Sequence, residues 1–465
     1  MNRNTLNSRN IARIIPLALI PVVTGCKNEK PLPNIIFLLT DDHRYDAMGY
    51  TGNPYIFTPN IDRLAGEGVV FTNAFVTTSI SCASRASILT GQYASRHGIN
   101  DFTTDMSSQA VAQTYPLLLK EKAGYRIGFI GKYGVGIKEQ PEKKYDYWGC
   151  DRVIQPMYEN YDSTGKMTHY TDILDGRIKE FIGKFGDDGP FCLSVSFKAP
   201  HVQDGDPRQF IYNLRYSEDY RDLDYPRPAT ADDEYWRMFP SWFRDNNEAR
   251  NRWKIRFETD SLFRESVRGY YRLIRGVDDV VGNIVEELEE AGIGDNTIII
   301  MTGDNGFFLG EHGLAGKWFA YEESIRIPLF IYNPLEKKKN RGREISDIAL
   351  NIDIAPTILE YAGIGIPEGM QGKPLQNTWR KDDGSRRKMF FYEHRFEHPG
   401  LPKSEALVSL DYKYIHYYEF QDSCREFYDL RTDRGEINNL INSEEYQSLI
   451  DNYSDLLDSL RAVVR

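Results

Sequence analysis

Apolar residues cluster in short, β-branched runs along this chain, and segments of helical periodicity stand between them. The runs are Asn34 to Leu39, Arg126 to Ile130, Phe191 to Phe197, Thr297 to Met301 and Pro328 to Tyr332. The helical segments include Thr58 to Gly66, Ser84 to Gln92, Tyr115 to Ala123 and Ser266 to Ala291. A strand with apolar residues at consecutive positions is buried on both faces. The alternation therefore predicts an α/β fold with a large, mixed, mostly parallel central sheet sandwiched by helices. Ligands of such sheets gather beyond the carboxyl ends of the strands, where this chain places its polar clusters. Asp353 to Ala362 reads as a further helix ended by Gly363, and Pro367 to Pro374 as a connector. Beyond it Lys388 to Tyr392, Ala406 to Ser409, Lys413 to Tyr418 and Glu426 to Tyr428 predict short strands, and Glu444 to Arg461 a helix. This is a smaller C-terminal domain of antiparallel sheet plus helix, with boundaries at 31–370 and 371–465. The acidic, aromatic stretch from Asp204 to Asn251 has no clear period and reads as an insertion at the edge of the site.

The first residues have another character. Arg3, Arg9 and Arg13 precede the run IIPLALIPVV, and Val23-Thr24-Gly25-Cys26 follows it. A basic start, a short apolar core and a small residue before the cut describe a secretory signal peptide, and the run is too short to span a bilayer. Its end resembles a bacterial lipobox, which implies that residues 1–26 are a lipoprotein leader and that Cys26 carries a lipid anchor to the membrane. The expected location is that of an exported bacterial lipoprotein, periplasmic or at the cell surface. With 465 residues and 41% hydrophobic content the mature chain can bury a large core. A net charge of -11 argues against nucleic acid as a partner. The remaining cysteines, Cys82, Cys150, Cys192 and Cys424, have no metal-ligand spacing, and their pairing stays open.

Candidate chemistry centres on Ser79 to Gly91, SISCASRASILTG, a serine-rich turn leading into a helix. A nucleophile at a helix N-terminus lies where backbone N–H groups and the dipole favour an anion such as sulfate. The run resembles the signature of type I sulfatases, members of the alkaline phosphatase superfamily, on Ser81, Ala83, Ser84, Arg85, Leu89, Thr90 and Gly91. Arg85 and Leu89, four and eight residues after Ser81, set the register, and Cys82 breaks both spacings. The resemblance implies an alkaline-phosphatase-like fold and oxidation of Ser81 to formylglycine by a maturase. The hydrate of that aldehyde is a nucleophile that an ordinary serine hydroxyl cannot match without a base.

Two strands end in paired polar residues, Asp41-Asp42 and Asp304-Asn305, whose oxygens suit a hard divalent cation, with carboxylate-rich sites favouring Ca²⁺. One Ca²⁺ among Asp41, Asp42, Asp304, Asn305 and the hydrate at Ser81 is the expected metal site. On the resemblance, Lys317 in DNGFFLGEHGLAGKWFAYEESIRIPLF binds sulfate, and His312 walls the same loop. The Pro-His pair in Lys198-Ala199-Pro200-His201 resembles the family's leaving-group acid, which implies that His201 protonates the leaving group, a task that suits an imidazole. Lys132 in GKYGVG matches the lysine that contacts formylglycine and sulfate, but Gly134 stands where the family has a histidine. That histidine is thought to deprotonate the hydrate and expel sulfate, so either another base substitutes, His97 and His312 being the local candidates, or turnover is slow, or the protein has drifted from catalysis. Arg395, His394 and His398 are candidate sugar contacts from the small domain, or part of a polar surface hairpin.

The expected function is hydrolysis of a sulfate ester on a carbohydrate, with Ser81, Arg85, Lys132, His201, Lys317 and His312 at the site. Two alternatives remain open: a phosphonate or phosphate diester hydrolase of the same superfamily, and a catalytically impaired protein that binds sulfated glycans.

Overall fold

The computed structural model describes residues 31–380, 386–419 and 424–465; the leader, the lipobox and Cys26 lie outside them. Eight strands form the central sheet: β1 (Asn34–Asp41), β2 (Val69–Phe75), β3 (Arg126–Gly131), β4 (Tyr147–Cys150), β5 (Phe191–Pro200), β6 (Thr297–Gly303), β7 (Leu329–Tyr332) and β8 (Arg343–Leu350). Their order is β8-β2-β7-β6-β1-β5-β3-β4, and β7 alone runs against the rest. The expected mostly parallel sheet is present.

Side chains of β1 alternate between two cores, as the pleat requires. Ile35, Phe37 and Leu39 join the core beneath helices α2 (Ser81–Thr90), α3 (Tyr115–Ala123) and α6 (Ile354–Tyr361). Ile36 and Leu38 join the core beneath α1 (Pro59–Glu67), α4 (Tyr170–Phe185) and α5 (Asp260–Glu290). A second, four-stranded antiparallel sheet, β9 (Met389–His394), β10 (Ser404–Ser409), β11 (Tyr412–His416) and β12 (Arg425–Asp429), packs with α7 (Gln447–Val464) against the first core.

Element ends differ from the sequence reading for local reasons. Helix α5 begins at Asp260 rather than Ser266, because the Thr259 hydroxyl accepts from Leu262 N–H at 3.2 Å. Such a cap stabilises a helix by about 1 kcal/mol. Strands β2 and β8 lack an unbroken apolar run, since several of their residues are only partly covered. Within 204–251, short helices at Asp233–Met238 and Ser241–Arg244 break the apparent insertion, and a third at Glu248–Arg256 runs past its end.

Candidate active site

Four adjacent strands, β6, β1, β5 and β3, end on the same edge of the sheet and deliver polar residues to one point. Register places Thr40 beside Gly303 and Asp41 beside Pro200, and Lys132 N–H donates to Ser196 O at 2.8 Å. Asp304/Asn305, Asp41/Asp42, His201 and Lys132 thereby become neighbours. Consecutive strand residues ordinarily face opposite ways. Here Asp42 adopts a left-handed backbone, φ 61°, which Asp tolerates better than most residues and which turns both carboxylates into the site.

Helix α2 supplies the centre. It starts at Ser81, three residues before the start read from sequence, with Ile80 as its N-cap. Ser81 thus does not cap the helix; its Oγ lies 3.1 Å from Asp41 Oδ1 and 3.4 Å from Asn305 Oδ1, and it accepts from Lys317 Nζ at 3.1 Å. Arg85, one turn along, donates from Nε to Asp304 Oδ2 at 2.9 Å and from an Nη to Lys132 O at 2.6 Å, and pairs with Asp41 at 3.3 Å. Lys132 pairs with Asp41, and Lys317 with Asp42. Asn305 Nδ2 donates to Asp42 Oδ1 at 2.7 Å, and Asp42 N–H to Asp304 Oδ1 at 3.1 Å. The site is almost sealed, with Ser81 only 1% exposed.

These charges set one another's protonation. Burial would raise Asp41, but Lys132, His201, Arg85 and Lys317 outweigh it and hold this carboxyl well below its ordinary range. Asp304 goes the other way, pushed up to about 6 by burial and by the charge of Asp41. Burial lowers Lys132, whereas Asp42 and Asp41 raise Lys317 against the same penalty. A cation relieves repulsion of this kind, and the donors present, three carboxylates and an amide oxygen without sulfur, fit a hard ion. Asp41, Asp42 and His201 each offer an atom within 4.8 Å of the others. Cys82 turns into the core, and burial pushes its thiol up to about 12. A thiol so placed is inert.

His201 Nδ1 lies 2.6 Å from Val202 O, which can only accept, so Nδ1 carries a proton. Its Nε2 faces Asp42 Oδ2 at 3.4 Å and Gln155 Nε2 at 3.3 Å. Burial depresses this imidazole to about 4.

Other expected residues are not brought here. His97 uses both ring nitrogens, on Ser87 Oγ at 3.0 Å and Ile99 N–H at 3.1 Å. His312 stacks on Tyr321, ring centres 4.8 Å apart. Among the described residues no hydrogen bond or ion pair joins either one to the Ser81 cluster. A β-carbon at Gly134 would lie 2.7 Å from Arg85 Cδ, and the backbone there is left-handed at φ 73°. Arg85 fills the space beside Gly134. His394 is fully buried, with no hydrogen-bond partner on either ring nitrogen among the described residues. Arg395 lines a polar cavity of about 820 Å³ with Asp101, Lys403, Glu405 and Arg461, and His398 borders another of about 430 Å³. No local pattern in the sequence singles out Lys198, which stands three residues before His201 in the same motif.

Comparison with known proteins gives consistent results. Residues 33–364 match the model of the sulfatase family, and residues 310–463 match that of the N-sulphoglucosamine sulphohydrolase C-terminal region. An N-acetylglucosamine-6-O-sulfatase of Bacteroides thetaiotaomicron is 30% identical, the alignment covering 93% of this chain and 87% of the relative. An arylsulfatase of Clostridium perfringens is 27% identical, with 90% and 92% covered. A solved structure of a protein in complex with its substrate, D-glucosamine-2-N,6-O-disulfate, superposes with a TM-score of 0.78 at 29% identity, covering 93% of this chain and 98% of that one. The phosphonate monoester hydrolase of Agrobacterium radiobacter shares the fold, with a TM-score of 0.70 at 21% identity and 93% and 96% coverage.

Proposed function

The chain belongs to the sulfatase family, and on that premise we propose that it removes sulfate from a sulfated glucosamine unit of a glycan. The observation that carries this reading is the position of Ser81 Oγ, held at once by Asp41, Asn305 and Lys317. Formylglycine made from Ser81 by a maturase would supply, as its hydrate, the nucleophile that a serine hydroxyl is not. One Ca²⁺ held by Asp41, Asp42, Asp304 and Asn305 would polarise a sulfate oxygen as a Lewis acid.

The protein's own groups do the rest. Lys317, Lys132 and Arg85 present fixed positive charge where the anionic sulfate ester must sit, in a site with little water, so their attraction is weakly screened. His201 delivers the leaving-group proton from Nε2, since Nδ1 is committed to Val202 O. Asp42 and Asp41 favour the imidazolium and oppose in part the burial that depresses it, and the incoming anion adds to their effect. Export as a lipoprotein anchored through Cys26 belongs to the same reading.

The test is an assay of protein produced with a serine-accepting maturase against sulfated glucosamines, other sulfated monosaccharides, and phosphate and phosphonate esters. Preferential desulfation of a sulfated glucosamine supports the reading. Faster cleavage of phosphonate esters, or glycan binding without desulfation, overturns it.

A further inference from the structure

Behind His201 lies a buried polar assembly that the chemistry above does not use. The ammonium of Lys198, near the end of β5, donates to Pro156 O at 2.6 Å and to Gln203 Oε1 at 3.1 Å. It also sits 4.1 Å from the centre of the Tyr158 ring. Tyr158 donates its hydroxyl to His201 O at 2.7 Å and its N–H to Gln203 Oε1 at 2.8 Å. The segment 151–158 contains no helix or strand of its own, and these bonds tie its far end to the strand that carries His201. Within that segment, Gln155 sets its amide against His201 Nε2 at 3.3 Å.

Lys198 is 1% exposed, and none of the described ion pairs includes it. An amine buried among neutral oxygens and a ring, pulled down to about 7 by that burial, is an expensive way to fill space, because a methionine would occupy similar volume with no polar group to desolvate. What the ammonium supplies is direction: it gathers a backbone carbonyl, an amide and an aromatic face from two chain segments around one point.

We propose that Lys198 is a positioning residue for leaving-group protonation, pinning the 151–158 segment to the end of β5 so that Tyr158 holds the His201 backbone carbonyl and Gln155 stands against the ring at Nε2. This rests on the reading of His201 as the acid. Protonation of the leaving oxygen matters most for poor leaving groups, such as a sugar alkoxide, and least for an acidic phenol. Loss of the pin should therefore act selectively.

The experiment measures kcat and KM for wild type, His201→Ala, Lys198→Met, Lys198→Arg and Tyr158→Phe on a sulfated glucosamine and on aryl sulfates of graded phenol acidity. General acids typically contribute about 10² to 10⁴-fold. His201→Ala should lose that much on the sugar sulfate and much less on the most activated aryl sulfate. Lys198→Met should show the same leaving-group dependence at roughly 10-fold in kcat, with little change in KM and partial rescue in Lys198→Arg. Tyr158→Phe removes one hydroxyl only, and it serves if Lys198→Met does not fold. Folded Lys198→Met or Tyr158→Phe that slows all substrates equally, or changes KM alone, overturns the proposal. Absence of leaving-group dependence in His201→Ala itself overturns the reading beneath it, and the proposal with it.

Discussion

Two buried clusters of charge in this protein handle the same problem in opposite ways. At the strand ends, Asp41, Asp42 and Asp304 each touch a base, Lys132, Lys317 or Arg85. Between the main sheet and the small one, Glu322 and Glu436 both pair with Lys413, at 3.0 and 2.7 Å, and Glu322 also with Arg326 at 3.6 Å. Glu426 there accepts from tyrosine hydroxyls, Tyr321 at 2.8 Å and Tyr428 at 3.2 Å. The outcome follows the supply of cations: Asp41 stays ionised, whereas burial pushes Glu426 up to about 7 and Glu436, despite Lys413, also to about 7. Matched charge is held ready for an anion and a metal. Glu426 and Glu436 are shifted towards their protonated forms under the small sheet, whereas Glu322, beside both Lys413 and Arg326, is held low.

The sharpest way to break this contrast is to remove an acid from the matched cluster. Asp304→Ala should abolish desulfation and, by stranding Arg85 in the interior, destabilise the protein by about 3 to 5 kcal/mol. Activity assays with thermal unfolding check it, and a folded variant with wild-type turnover would erase the distinction. Metal removal comes next. Exhaustive chelation should stop turnover and lower the melting temperature, and Ca²⁺ at 100 times its Kd should return about 2.7 kcal/mol. Full activity in chelated protein would contradict a metal among the aspartates.

A smaller effect concerns Gly134. Restoring the family's histidine there should slow the enzyme, because a β-carbon would press on Arg85 Cδ and the backbone is left-handed. The cost in stability should be roughly 1 to 3 kcal/mol. Faster sulfate release in Gly134→His, seen as loss of a pre-steady-state burst, would show that Arg85 yields.

The smallest effect belongs to the unmatched cluster. Glu426 and Glu436 have folded pKa values raised to about 7 from an ordinary 4.5. The folded state therefore binds more protons than the unfolded one between those values, so stability is fully present below pH 4.5 and declines as pH rises to about 7. Glu426→Gln, which removes one such group, should flatten this decline and leave the variant roughly 1 kcal/mol more stable than its parent above pH 7. Denaturation curves across pH 4 to 8 check it, and equal slopes in parent and variant would refute it.

The difference between the clusters also explains what was legible in the chain. Asp41-Asp42 and Asp304-Asn305 each follow a largely apolar run, and it is the resemblance to the family's order around Ser81 that joins them into one expected site. The Glu322, Glu426 and Glu436 set is assembled by docking of the two sheets, and no local pattern announces it. Lys198 was hidden for a similar reason, since its partners Pro156 and Tyr158 come from a segment without periodicity. His312 looked like a wall of the site because it shares a loop with Lys317. Its left-handed backbone, φ 56°, accompanies a ring stacked on Tyr321. Gly134 was read as a missing base, and only the structure shows Arg85 in the space beside it.

The central claim is that Ser81 becomes the nucleophile, and it is tested most directly by mass spectrometry of the peptide spanning Ser81 and Cys82. The protein should be produced with a maturase that accepts serine. The account predicts a peptide lighter by two hydrogens, with the aldehyde located at Ser81 and its abundance rising in step with sulfatase activity. An aldehyde at Cys82, or full activity in protein whose Ser81 is unmodified, would contradict it.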